Sequence, residues 1–112
     1  MTRTSKYNAK RVQVAGKVFD SKAEANRYRE LLLLMKTGEV AEVECQPRFL
    51  LQEGFRKNGK THRPIYYIAD FLVKYADGHT EVEDVKGVKT EVFRIKQKMF
   101  EKRYPEYSLK IV

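Results

Sequence analysis

Two turn-forming dipeptides, Asn58-Gly59 and Asp77-Gly78, bracket the most constraining stretch of the sequence, Arg63–Tyr75 (RPIYYIADFLVKY). Both dipeptides favour two-residue hairpin turns, because their residues tolerate positive φ. The stretch between them is aromatic and β-branched, as a central strand should be. Thr80–Lys86 (TEVEDVK) follows as its hairpin partner, and Gly87 breaks it. A chain with this ribbon at its centre has to build a sheet and cover it. The ribbon also contains an anomaly, Asp70. A lone ionised carboxylate in an apolar strand is costly unless a cation, a hydrogen-bond network or a metal meets it. Alternation puts Asp70 on one face with Tyr66, Ile68 and Leu72. On the partner strand, Asp84 and Lys86 lie on the side marked by Val82, whereas Glu81 and Glu83 point the other way with Val85.

The remaining elements follow from periodicity. Ser21-Lys22-Ala23-Glu24 fits a capping box, and Ala25, Tyr28, Leu31, Leu32 and Met35 then recur at helical spacing, so a helix is expected from Ser21 to Met35 with Gly38 as its stop. From Val40 the period becomes that of a strand: Val43, Cys45, Phe49 and Leu51 alternate with Glu44, Gln46, Arg48 and Gln52, with Pro47 marking an edge or a bulge. A second helix is expected over Thr90–Tyr104, ending before Pro105, with Val92, Phe93, Ile95, Met99, Phe100 and Tyr104 as its apolar side chains. Tyr107–Val112 reads as a short terminal strand. Residues 1–20 form a basic arm or a small hairpin around Ala15-Gly16. The expected fold class is α/β, a mixed sheet flanked by helices in αβββαβ order, within one domain spanning residues 1–112.

Composition narrows the chemistry. The 112 residues carry 23 Lys and Arg against 15 Asp and Glu, a net charge of +8. The excess is segregated into residues 1–11, with Arg3, Lys6, Lys10 and Arg11 and no acid, and residues 86–103, with seven cations against Glu91 and Glu101. Segregated positive charge points to nucleic acid as the partner. The longest apolar run, Leu31–Met35, is far too short for a membrane span. The basic MTRTSKYNAKR has no apolar stretch behind it and is not expected to be a secretory signal. The single cysteine, Cys45, suits a reducing cytoplasm and is expected to be buried and inert. His62 and His79 lack the spacing of a zinc site or a nucleophile–base pair and are expected to be solvated loop residues. The glycines are scattered, so no phosphate-binding loop is formed.

Carboxylates are what remains. Glu24 lies on the stripe of Tyr28, Leu31 and Met35, where capping and a functional role are equally open. Lys96 sits among the apolar residues of the second helix, where a cation must snorkel or meet an anion. Asp84-Val85-Lys86 fits the (D/E)-x-K half of a nuclease motif. The chain contains one other such tripeptide, Asp20-Ser21-Lys22, and about two are expected by chance. Context separates them: only Asp84-Val85-Lys86 ends a strand hairpinned to the one that bears Asp70.

With Glu24, Asp70, Asp84 and Lys86 in that order of elements, the chain resembles the PD-(D/E)xK nuclease superfamily. More narrowly, YNAKRVQVAGKVFDSKAEANRYREL, QPRF, YIADF, VEDVKG and FEKRYPEY resemble a family of small phage and prophage proteins assigned to it. The literal Pro-Asp of the motif is Ala69-Asp70 here, a loss common in the superfamily. The resemblance implies a restriction-endonuclease-like core and an endonuclease that hydrolyses DNA phosphodiesters with Mg²⁺, or with Mn²⁺ in its place. Holliday junctions or other branched DNA are the implied substrates, in the cytoplasm of a phage-bearing bacterium. It also implies Asp70, Asp84, the Val85 carbonyl and Glu24 as metal ligands, Lys86 as the group that orients water or stabilises the phosphate, and Gln46 as a weaker neighbour. Lys96, Arg56, Lys57, Lys60, Lys10, Arg11 and Lys89 are the expected DNA contacts. Two symmetric cuts would favour a homodimer. The alternative is a non-catalytic DNA-binding module or accessory subunit, for which retention of all four site residues has no evident need.

Overall fold

The computed structural model describes residues 11–112, so the first part of the basic arm, Lys10 included, lies outside the described residues. The first elements are the expected small hairpin, β1 (Val12–Val14) antiparallel to β2 (Lys17–Phe19). Helix α1 (Lys22–Thr37) follows the sequence signals: Ser21 Oγ accepts the Glu24 N–H at 3.2 Å, and Gly38, at φ 85°, closes the last turn through Met35 O. Ala25, Tyr28 and Leu31 are buried, but Met35 is 39% exposed because the stripe drifts off the sheet.

Two strands expected as single runs, the first with Pro47 marking an edge or a bulge, are each split. The first becomes β3 (Val40–Cys45) and β4 (Arg48–Gln52). After the hairpin β5 (Phe55–Lys57) and β6 (Lys60–His62), the aromatic ribbon becomes β7 (Ile65–Ile68) and β8 (Phe71–Tyr75). The breaks have one cause. Pro47 has no N–H to donate to a ladder, and Gln46 before it turns to φ 54°. The Gln46 N–H then donates to Asp70 O at 2.9 Å, and the Ala69 N–H to Pro47 O at 3.2 Å. The two breaks therefore lie level and brace each other. Because side chains alternate with a period of two, such an interruption moves residues of one parity to the other face. Val43, Cys45, Phe71 and Val73 belong to one core, while Phe49, Leu51, Tyr67 and Ala69 belong to another. The expectation of one continuous face through Val43, Cys45, Phe49 and Leu51 is thus corrected.

The ribbon continues into β9 (Thr80–Asp84), followed by α2 (Glu91–Arg103) and β10 (Ser108–Ile111). The central sheet runs β10-β9-β8-β3, antiparallel except where β10 lies parallel to β9 across the α2 crossover. The β4–β7 pair extends beyond the breaks. Helix α1 and the β1–β2 hairpin cover one face with Phe19, Ala25, Tyr28, Leu31, Val40, Phe71 and Val73. Helix α2 covers the other through Phe93 and Phe100, packed on Phe49, Tyr67 and Val82. Thr90 caps α2, its Oγ1 accepting the Phe93 N–H at 3.1 Å. Val92 and Ile95, expected among its apolar contacts, are 61% and 57% exposed, because the buried stripe runs through Phe93, Lys96 and Gln97 to Phe100. The class is mixed α/β, but seven strands separate the two helices where three were expected. Among the described residues no helix is long and apolar enough to cross a membrane.

Glu83 points away from Asp84, as strand phase requires, but it is not a neutral position. It is fully buried and accepts two hydrogen bonds from Arg27 of α1, at 2.7 Å from Nε and 2.6 Å from the terminal nitrogen. Arg27 also meets Glu30 at 3.0 Å. Removing one member of a buried pair leaves the other charge uncompensated. Glu83→Gln should therefore lower the unfolding free energy by on the order of 3 kcal/mol in urea titrations. A loss indistinguishable from zero would reduce this pair to the weight of a surface bridge.

Candidate active site

Asp70 occupies the break between β7 and β8, its N–H bonded to Glu83 O at 3.0 Å. The paired residues of β8 and β9, Phe71 with Glu83 and Leu72 with Val82, run toward it, so one step further the ladder brings Asp70 opposite Asp84. The turn that sets this register is longer than an Asp77-Gly78 two-residue hairpin: the Tyr75 N–H bonds His79 O at 2.9 Å, leaving three residues in the loop.

The two aspartates have different surroundings. Asp84 is 1% exposed, accepts the Tyr67 hydroxyl, and has Lys86 Nζ 3.3 Å from its Oδ1. Lys86 Nζ also lies 4.8 Å from the centroid of the Phe93 ring, a cation–π contact that ties the lysine to α2. Asp70 accepts the Val85 N–H at 2.6 Å through Oδ2, and burial with the nearby carboxylates of Asp84 and Glu24 pushes its pKa up to about 7. Glu24, in the first turn of α1, accepts the Ser21 hydroxyl at 3.4 Å and so has a capping role. Its pKa is raised as well, by burial first and then by Asp20 and Asp84, with Lys86 opposing. Glu24, Asp70, Asp84 and Lys86 are thus within mutual electrostatic range at one end of the sheet.

Among the described residues, no three His, Cys, Asp or Glu side chains converge tightly enough to cage a metal on their own. Mg²⁺ is commonly held by one or two carboxylates, with water and phosphate oxygens filling the remaining positions. The donor set suits it: Asp70, Asp84 and Glu24 supply hard oxygens, and a carboxylate oxygen that accepts one hydrogen bond retains a lone pair. The clefts lined by Glu42, Lys74 and Tyr107, and by Glu39, Tyr75 and His79, lie elsewhere.

The other expected residues fall in several places. Val85 is half-buried against the α1 core, and its N–H is the group engaged at the site. Gln46 is exposed and touches the site through its backbone N–H to Asp70 O. Lys96 is half-buried on α2, one turn beyond Phe93. Arg56, Lys57, Lys60 and Lys89 are exposed, and Arg11 is paired loosely with Asp20 at 3.9 Å. Cys45 is half-buried with its thiol pKa raised by burial, which fits an inert cysteine. His62 and His79 are exposed as expected, His79 held 2.5 Å from Asp77.

A family model described as a protein of unknown function (DUF1064) matches residues 4–112. The chain belongs to the DUF1064 family. No curated protein and no solved structure matches it.

Tyr67 of this DUF1064 protein is the site residue that sequence reading did not find. It is buried, and its hydroxyl pKa is raised, by burial first and then by Asp84. Its assignment depends on the parity switch, which no alternation count reveals. Arg27 escaped for a similar reason, since only the helix-to-sheet distance identifies Glu83 as its partner.

The environment of Asp70 gives a measurable consequence. With its folded pKa raised from 3.8 to about 7, the folded metal-free protein binds more protons than the unfolded chain between those values. That contribution is fully present below the unfolded value and is lost as pH rises through about 7. Asp70→Asn keeps an acceptor for the Val85 N–H and gives Asp84 a donor. In EDTA it should raise Tm at pH 8 and flatten the fall of Tm between pH 5 and 8, as read by thermal melts. Asp84→Asn should show no such gain, because Tyr67 and Lys86 already satisfy the native carboxylate; equal gains from both variants would contradict the distinction.

Proposed function

We propose that this DUF1064 protein is a divalent-metal-dependent DNA endonuclease of the PD-(D/E)xK type, hydrolysing phosphodiester bonds in branched DNA. The observation that carries the reading is the gathering of Asp70, Asp84, Glu24 and Lys86 at the braced strand break, where burial first, and then the neighbouring carboxylates, hold Asp70 near the threshold of ionisation. A cluster of that kind favours a cation. The element order supports the same reading: with each split strand counted as one bent strand, and the hairpins set aside as additions, the chain reduces to helix, three strands, helix, strand.

In this reading Asp70 and Asp84 hold Mg²⁺, or Mn²⁺ in its place, with Glu24 and the Val85 carbonyl as further donors. When bound, such an ion neutralises phosphate charge and acidifies water. The chain's own residues do the rest. Tyr67 fixes the orientation of Asp84 from the core side. Lys86, held between Asp84 and the Phe93 ring, is placed to stabilise charge developing on the phosphate. The exposed cations Arg11, Arg56, Lys57, Lys60 and Lys89 supply phosphate contacts.

Incubation with four-way junction, flap, duplex and single-stranded DNA tests the proposal. Cleavage should require Mg²⁺ or Mn²⁺, Asp84→Asn should abolish it, and Lys86→Ala should lower kcat on the order of a hundredfold. Mg²⁺ should also raise Tm of the wild type but not of Asp70→Asn, a readout independent of activity. Undiminished cleavage in excess EDTA overturns the metal mechanism. Tight binding with no cleavage of any substrate in either metal identifies the non-catalytic module instead.

A further inference from the structure

The β5–β6 hairpin stands apart from the sheet. All six of its strand residues are exposed, and among the described residues its strands pair only with each other. It nevertheless carries a large apolar side chain, Phe55, 45% exposed, whose ring stacks on His62 with centroids 4.6 Å apart and planes 18° off parallel. No acidic residue occurs from Phe55 to Arg63. At the tip Lys57 lies directly opposite Lys60 in the ladder, an arrangement of like charges that destabilises a free hairpin. The Arg56 guanidinium, which alternation puts on the other face of the ribbon, is held by Thr61 Oγ1 at 2.6 Å and Gly59 O at 3.3 Å. The base of the arm is tight: a Cβ on Gly54 would approach His62 O and Pro64 Cδ to 3.1 Å.

Opposed lysines on the face that carries the Phe55–His62 stack are explained by an anion between them. A stacked aromatic pair left in solvent is explained by a planar partner. We propose that the β5–β6 hairpin is a nucleic-acid arm in which the Phe55–His62 stack receives an unpaired base while Lys57 and Lys60, on the same face, hold the flanking phosphates. The choice of DNA as the polymer rests on the endonuclease reading above. Intact duplex would engage the cations and leave Phe55 unused, because its phosphates require no aromatic contact. An acidic protein surface would also engage the cations, and wild type that binds no nucleic acid is the outcome it predicts. Combining a cationic track with aromatic stacking is how single strands are held without sequence preference. Eight steps of chain lead from His62 to Asp70, at most about 26 Å at the rise of a strand. The arm is therefore a binding element tethered within that distance of the site.

Fluorescence anisotropy in EDTA separates this inference from catalysis. The full chain is titrated onto a short labelled single strand, the same strand with abasic sites, and its duplex. Phe55→Ala and Phe55→Leu should each weaken single-strand binding on the order of tenfold while changing duplex binding by about twofold or less. Wild type should bind the abasic strand about as weakly as the variants bind the intact one. The side chain is half-exposed, so Tm of both variants should match wild type. Equal losses on all three probes, no loss on any, or no binding of nucleic acid by the wild type overturns the arm. Selective loss on the intact single strand in a protein that cuts no DNA upholds the arm and removes the endonuclease reading alone.

Discussion

The molecule depends on a single brace, the pair of hydrogen bonds that ties Gln46-Pro47 to Ala69-Asp70. An uninterrupted antiparallel ribbon would present one apolar face throughout its length, and one helix would have to cover all of it. By breaking both strands at the same level, the chain turns the parity of its apolar residues. It then fills two cores on opposite faces, one under α1 and one under α2. The brace also accounts for Asp70. A carboxylate in mid-ladder would be an uncompensated burial, whereas at the break its side chain reaches the Val85 N–H and its backbone N–H reaches Glu83 O. The site and the two-sided core are consequences of the same interruption, as is common where irregular pairing adjoins functional residues.

Much of this was legible in the sequence, for local reasons. The Ser21 cap, the Gly38 stop, the Asn58-Gly59 turn with both residues at positive φ, and the Thr90 cap are set by a few neighbouring residues each. The separation of Asp84 from Glu83 was equally legible, because strand phase over a few residues is reliable once a strand exists. The split strands were not. Pro47 signalled an irregularity, but nothing near Ala69 announces that the facing strand breaks too; that break is imposed across the ladder. The same applies to the Tyr67–Asp84 bond and the Arg27–Glu83 pair, whose members are 17 and 56 residues apart. Val92 and Ile95 were misplaced because a helix with apolar residues around much of its circumference does not specify which stripe faces the sheet.

The two aspartates divide the work of such a site between fixity and charge. Asp84 is satisfied from the core side by Tyr67 and from the solvent side by Lys86, so its position is defined before any ligand arrives. Asp70 is the less compensated group: one backbone N–H lowers its proton affinity, while burial and two neighbouring carboxylates raise it. An electrostatic deficit at Asp70 and Glu24, beside a satisfied Asp84, is an economical way to favour a cation without a closed cage. The rest of the sheet stays stable because Glu83, the other buried acid of β9, has a full partner of its own in Arg27.

The alanine before Asp70 follows from the same geometry. In the nuclease motif that this segment resembles, the residue ahead of the aspartate is proline, which by lacking an N–H enforces an interruption of the ladder. Here the Ala69 N–H donates to Pro47 O, a bond that proline at position 69 would forfeit, and the Ala69 side chain is buried among the aromatic residues under α2, where little volume is left. The proline that forces irregularity stands on the facing strand instead, at Pro47. Its carbonyl is the acceptor that Ala69 needs, and the residue before it, Gln46, donates to the carbonyl of Asp70. The interruption is thus specified from across the ladder, and the residue beside the aspartate is released to pair. In this fold the break beside the aspartate is enforced from the facing strand, which lets Ala69-Asp70 stand where the motif it resembles has Pro-Asp.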